Sequence, residues 1–319
     1  MKRTAKRIWV VPAFVLGMLL ILLTICYIYH QVQLLKEEQL FEPIGTQVVV
    51  NNHSMNVYTE GAGETTLVFL SGGGTCSPVL DFKSLYSLLS DTLRVAVVEK
   101  AGYGFSEVTA DTPRDIDTVL FETRKALELA GVTAPYILCP HSMSGIEALY
   151  WAQKYPQEIT AIIGLDMAVP SAYADYKLNL PVLKLGAFAA NIGLTRWLPG
   201  ASESDAIRFG SLTEEDKALY RAVFYKRTAT ADMLREVQEI KTSAQKVAGG
   251  QTPNLPILLF VSNGAGTGWS ELAWREYQQN YASTCPNGTV IPLDCSHYVH
   301  DIEYDNIAKE IRRYIGGLE

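Results

Sequence analysis

Two serines stand one residue apart in the stretch PHSMSG, residues 140–145, with a histidine beside them. A serine hydroxyl is a poor nucleophile until a base removes its proton, and the base works best when a third group orients it. The chemistry open to such residues is attack of a hydroxyl on an ester or amide carbonyl. To reach a substrate the serine must project from a sharp strand-to-helix turn, and the crowding there demands small residues two positions away on each side. Around Ser142 those positions hold Pro140 and Ser144; around Ser144 they hold Ser142 and Ile146. Ile146 is too bulky for the role, so Ser142 is the candidate nucleophile and Ser144 supports or caps the turn. Pro140 stands where glycine is usual. The competing reading of the hexapeptide is an ordinary helix N-cap.

Five histidines could supply the base: His30, His53, His141, His297 and His300. His30 abuts a long apolar run and His53 lies in an early hairpin pattern. The turn would point His141 away from Ser142, leaving it to pack or hydrogen-bond beneath. No CxxC pair or His/Cys cluster has metal-ligand spacing, and no cofactor is implied. The glycines of Gly102-Tyr103-Gly104-Phe105-Ser106 lack the third glycine and the Lys-Ser/Thr ending of a phosphate loop.

These side chains need a scaffold that brings them together. TQVVV and NVYTEG, joined by NNHSM, read as a hairpin. Short apolar runs follow at residues 65–70, 94–99, 135–139, 161–165, 256–261 and 289–293, with helical spacing between many of them. Continuous apolar strands alternating with helices predict a mostly parallel, doubly wound sheet covered on both faces, an α/β fold. Active groups in such sheets collect at the carboxyl edge of the strands. Ser142, Gly72–Gly74, Asp166 and His297 all fall just after predicted strands. Residues 171–250 break the alternation with helical patterns only, and read as an inserted helical lid. Its apolar residues Leu180, Leu183, Leu185, Phe188, Leu194 and Trp197 either roof a pocket or pack the lid onto the core.

From residue 46 to the C-terminus the chain resembles the α/β-hydrolase family. The resemblance rests on PHSMSG after a strand, SGGG after an earlier one, EKAGYGFS between them, and SHYVH near the end. It implies a Ser–acid–His triad in that chain order and an oxyanion hole of two backbone N–H groups. His297 occupies the position of the base, with His300 as its neighbour. Met143, directly after the nucleophile, would give one oxyanion donor, and Gly73 the other. For the acid, many relatives carry aspartate after the strand here written PILLFV, but the following SNGAGTGWSE has none and offers only Glu271. Some lipase-like relatives instead carry their acid in a GLDPA segment. Asp166 in GLDMA matches and is the preferred acid, with Glu271 the alternative and Asp294 and Asp301 weaker ones. The implied function is a serine esterase or lipase acting through an acyl-enzyme on a small or lipidic ester or amide. Short-peptide cleavage is the alternative within that chemistry, and a membrane-tethered binding protein on the same fold is the alternative outside it. A dehalogenase is disfavoured, because its nucleophile is an aspartate at the elbow.

The chain's 319 residues, 48% of them hydrophobic and 19% charged, suit one large domain with an insertion. The net charge is −7, although Lys2, Arg3, Lys6 and Arg7 sit at the very start. The body is thus more acidic still and repels phosphate backbones, which argues against nucleic acid as a partner. Ile8 to Tyr29 contains no charge and is about 22 residues long, enough to cross a hydrocarbon core. A cleaved signal peptide would have a shorter apolar region and a small-x-small site. The expected organisation is a cytoplasmic stub and transmembrane anchor (1–30), a spacer (31–45), a hydrolase core (46–170 and 251–319) and a lid (171–250). The basic flank predicts a cytoplasmic N-terminus, with the catalytic domain outside the cell membrane. Of five cysteines, Cys285 and Cys295 form the best candidate disulfide, set against separate buried thiols. Oligomeric state is not legible.

Overall fold

The computed structural model describes residues 2–109 and 111–318, with side chains from residue 11 onward. The basic side chains of Lys2, Arg3, Lys6 and Arg7 lie outside that description. Helix α1 runs unbroken from Lys2–Glu37 and is followed by a 3₁₀ turn, Glu38–Leu40. The first half of the expected spacer thus continues the helix, because QVQLLKE offers good helix formers and no breaker. Within this stretch Val11–Leu40 is long and apolar enough to cross a membrane.

Strands β1 (Thr46–Val50) and β2 (His53–Glu60) form the hairpin. Its turn is only Asn51-Asn52, both at positive φ (49° and 63°), which suits the right-handed twist of paired strands. His53 and Met55 therefore belong to the ladder rather than to the loop.

The remaining elements alternate. They are β3 (Thr66–Leu70), α2 (Pro78–Asp81), α3 (Lys83–Tyr86), β4 (Arg94–Glu99), α4 (Ile116–Leu129), β5 (Tyr136–Pro140), α5 (Ser144–Lys154) and β6 (Ile159–Leu165). Then come α6 (Leu180–Asn191), α7 (Asp205–Arg208), α8 (Glu214–Arg227) and α9 (Ala231–Ala248), with no strand between β6 and the next one among the described residues. The chain finishes with β7 (Ile257–Val261), α10 (Glu271–Ser283), β8 (Gly288–Pro292), α11 (Val299–Ile302) and α12 (Tyr304–Gly316).

All eight strands share one sheet in the order β1-β2-β4-β3-β5-β6-β7-β8. The hairpin and the β2–β4 pair are antiparallel and the rest parallel. Successive side chains alternate between faces. Val68, Leu70 and Leu138 join Leu120, Ile146, Ile240 and Trp274 in one apolar layer. Leu67, Phe69 and Ile137 join Tyr86, Val299 and Ile311 in the other. Both faces are therefore buried, which is why these strands are continuously apolar. All five cysteines are free and buried, so Cys285 and Cys295 flank β8 as separate thiols.

Candidate active site

β5 ends at Pro140, His141 N–H still donates to Leu70 O (2.9 Å), and the chain then reverses at Ser142 with φ of 52°. A non-glycine residue at positive φ is costly and persists where packing over-determines it. Here the packing is dense. The Ser142 carbonyl accepts from Ala168 N–H (2.7 Å), and a Cβ on Gly145 would lie 2.2 Å from Ala168 O. Ser144 Oγ donates to Leu70 O (2.6 Å) and His141 O (2.8 Å), so it braces the turn beneath Ser142. Pro140 is tolerated because it is the last residue of its strand.

The loop after β3 presses on this turn. A Cβ on Gly72 would fall 2.8 Å from Ser142 Cβ, and one on Gly73 would fall 2.8 Å from Met143 Cε. At Gly72 only a residue without a side chain allows that approach, whereas at Gly73 the neighbour is the movable end of the Met143 side chain. Gly73 and Met143 thereby stand side by side next to Ser142, at the N-terminal end of α5.

His297 follows β8, and its N–H is tied to Ala265 O (2.9 Å). Its Nε2 lies 2.7 Å from Ser142 Oγ and its Nδ1 lies 2.6 Å from Asp166 Oδ2. Asp166, at the end of β6 and also at positive φ (50°), is fully buried. It accepts from Ser262 N–H (2.7 Å), Ser262 Oγ–H (2.7 Å) and Trp274 Nε1–H (2.8 Å), besides His297. Those donors fill the acceptor sites of both carboxylate oxygens. Glu271 is elsewhere: it opens α10, half-exposed, and pairs with Arg275 (2.9 Å). Asp294 is exposed, and Asp301 is buried away from the His297 ring contacts.

Ser262 and Trp274 escaped the sequence reading. A signal was present, since Ser262 directly follows β7, at the strand end where an aspartate was sought. The strand end supplies donors to the carboxylate of the neighbouring strand instead of supplying the carboxylate. Glu236 on α9 was also missed. It accepts from Tyr103 Oη–H (2.6 Å) and pairs with buried Lys100. Tyr103 Oη in turn accepts from Gly74 N–H (3.3 Å), which links the glycine loop to α9.

His141 is sealed beneath the turn, 4.6 Å from the rings of both His297 and His300. Burial first, then the two neighbouring imidazoles, pushes its pKa well below the ordinary histidine value. It is therefore neutral, and its Nε2–H donates to His297 O (3.2 Å). His300 Nε2 bonds to Asp81 Oδ2 (3.0 Å), whose other oxygen accepts from Tyr220 (3.0 Å). Asp81, His300 and Asp301 are the group of described residues close enough to share a cation. Burial and the nearby Asp81 raise the Asp301 carboxyl well above its usual range, which favours a protonated, uncharged group there.

Beside Ser142 and His297 lies a cavity of about 240 Å³, walled by Tyr173, Tyr176, Val237, Ile240 and Trp269. Of the six apolar residues read as either roofing a pocket or packing the lid onto the core, none lines this cavity. Leu185, Phe188 and Trp197 of the helical segment face outward and are more than half exposed, while Tyr173, Val237 and Ile240 of the same segment line the cavity instead.

The chain is 44% identical over 315 residues to the uncharacterized protein YbdG of Bacillus subtilis, spanning 95% of this chain and 97% of that one. An AB hydrolase superfamily protein of Gibberella zeae is 31% identical over 78 residues, 24% of each chain. No family model matches. Among solved structures, a variant epoxide hydrolase of Vigna radiata superposes with a TM-score of 0.69 at 17% identity, over 85% of this chain and 98% of that one. The enol-lactonase of Burkholderia xenovorans superposes with a TM-score of 0.63 at 17% identity, over 85% and 100%.

Proposed function

We propose that this chain, which has the fold of the α/β-hydrolases, is a serine hydrolase that cleaves an ester or amide bond through an acyl-enzyme. The observation that carries this reading is the hydrogen-bonded order Ser142 Oγ, His297 Nε2, His297 Nδ1, Asp166 Oδ2, at 2.7 and 2.6 Å. His297 takes the Ser142 proton as Oγ bonds to the substrate carbonyl carbon. The carbonyl π electrons move onto oxygen, where the N–H groups of Gly73 and Met143 receive the charge. The imidazolium, paired with Asp166, then donates its proton to the leaving alcohol or amine as that bond breaks. Water enters, gives a proton to His297, and attacks the acyl carbon; collapse returns the proton to Ser142 and releases the acid. A cavity of about 240 Å³, lined by Thr267 and Tyr298 as well as by Tyr173, Tyr176, Val237, Ile240 and Trp269, suits a compact acyl group.

The same reading places α1 across the cell membrane, with the basic flank in the cytoplasm and the hydrolase domain outside. The test is labelling by a serine-reactive fluorophosphonate. Labelling should vanish in Ser142→Ala, with a rate loss of roughly 10⁶, and persist in Ser144→Ala. A folded chain that is never labelled would leave a tethered binding protein as the reading.

A further inference from the structure

Helix α6, with Leu180 and Leu183 only partly buried, turns large apolar side chains to the outside. Its buried positions are the small Ala187 and Ala190, whereas Val182, Leu185 and Phe188 are 60%, 66% and 51% exposed. At 3.6 residues per turn the three large residues share one face, and the two alanines lie on roughly the opposite one. A surface helix in water normally presents the reverse arrangement. The outward face continues into the next turn, where Trp197 and Leu198 are 58% and 61% exposed.

This apolar face adjoins α1 just where the uncharged run of that helix ends. The Trp197 and Tyr29 rings are 5.4 Å apart. Gly193, at φ of 76°, lies so close to α1 that a Cβ would fall 2.4 Å from His30 Cβ. Arg196 fastens the contact, with two bonds of 2.7 Å to Glu37 and one of 2.8 Å to His30 Nδ1. On α1 itself Ile25 and Ile28 are exposed by 54% and 56%. One apolar surface therefore runs from the span, across Trp197, onto α6. At 1.5 Å per residue, His30 lies within a turn of the end of the apolar run Ile8–Tyr29. Aromatic rings such as Tyr27, Tyr29 and Trp197 are the side chains that favour the membrane–water boundary.

We propose that the outward face of α6, with Trp197 and Leu198, lies in the surface of the lipid bilayer that α1 crosses, so that the protein holds its membrane at two places. The inference rests on the reading of α1 as a span. It commits to lipid rather than a second copy of the chain, because the face is continuous with the apolar surface of α1 and fixed to it by Gly193 and Arg196.

The test uses the full chain in vesicles of phosphatidylcholine and phosphatidylglycerol whose acyl chains carry bromine. Leu185→Trp is introduced into a Trp197→Phe background, and the emission of that background alone is subtracted. The substitution keeps a large apolar residue on the surface, and fluorophosphonate labelling reports that the domain remains folded. An α6 face buried about 5–10 Å into the interface should lose roughly half of the introduced emission to bromine. Phe188→Trp, on the same face, should give the same result. Unquenched emission from both variants, in a chain that resists alkaline carbonate extraction, overturns the docking and leaves the span intact. Release of the chain by carbonate overturns both. Unquenched emission with cross-linking between copies through α6 assigns the face to a second copy and likewise overturns the proposal.

Discussion

Two imidazole–carboxylate pairs have their histidines three residues apart in the chain. His297 meets Asp166 at 2.6 Å, and His300 meets Asp81 at 3.0 Å. By residue type and spacing they are near duplicates. Their surroundings are not. His297 has its second ring nitrogen on Ser142 Oγ and opens onto a cavity, while His300 and Asp81 are fully buried and His300 Nδ1 has no hydrogen-bond partner. A carboxylate behind an imidazole orients it in either case. Chemistry becomes available only where the far nitrogen meets a hydroxyl that a substrate can reach. The buried pair instead joins β3's following helix to the C-terminal segment, using Tyr220 of α8 as a third partner.

The largest expected difference between the pairs is in rate. Asp166→Asn should leave the fold intact and slow acyl transfer by ~10⁴-fold, because the amide can no longer hold the correct imidazole tautomer. Single-turnover acylation with a chromogenic ester measures it. A loss below tenfold would remove Asp166 from the mechanism and dissolve the contrast. The second pair should respond in stability instead. Asp81→Ala orphans the buried His300 and Tyr220 donors and should cost about 3 kcal/mol of unfolding free energy, by denaturant titration. Turnover per folded molecule should stay within about tenfold of the parent; a collapse like that of Asp166→Asn would show that both pairs serve the reaction. The smallest effect belongs to the carboxylate that touches neither histidine. Glu271→Gln removes only a half-exposed ion pair with Arg275 and should change rate and stability by less than about 1 kcal/mol equivalent. A large rate loss there would reinstate it as the acid.

The α/β class, the parallel sheet and the turn at Ser142 were legible in the residues because their signals are local. Apolar runs such as TTLVFL have no solvent face to mark, and PHSMSG combines small neighbours with a hydroxyl. His297 could be chosen over His300 from its place directly after the last strand. Asp166 was preferred to Glu271 on the likeness of GLDMA to a known motif, because residue type alone does not separate two carboxylates. The structure brings Asp166 to the imidazole because β6 and β7 are neighbours, so the Ser262 end of one strand solvates the acid of the other. The 171–250 segment was readable as helical but not in its orientation. Periodicity marks Leu185 and Phe188 as one face, yet it cannot say whether that face turns toward the cavity or away from it. The contact of Gly193 and Arg196 with α1 decides that.

What the amino-acid order determined by itself is the set of elements and the residues able to do chemistry, because helix, strand and tight turn are specified by near neighbours. What only the tertiary structure decided is which carboxylate solvates which imidazole, and which way an apolar face points. Both are settled by contacts between residues that are distant in the chain, such as Ser142 with His297, Asp166 with Ser262, and Gly193 with His30. Such contacts form through packing and the pairing of buried polar groups, and a linear pattern of residue types carries no distances between them.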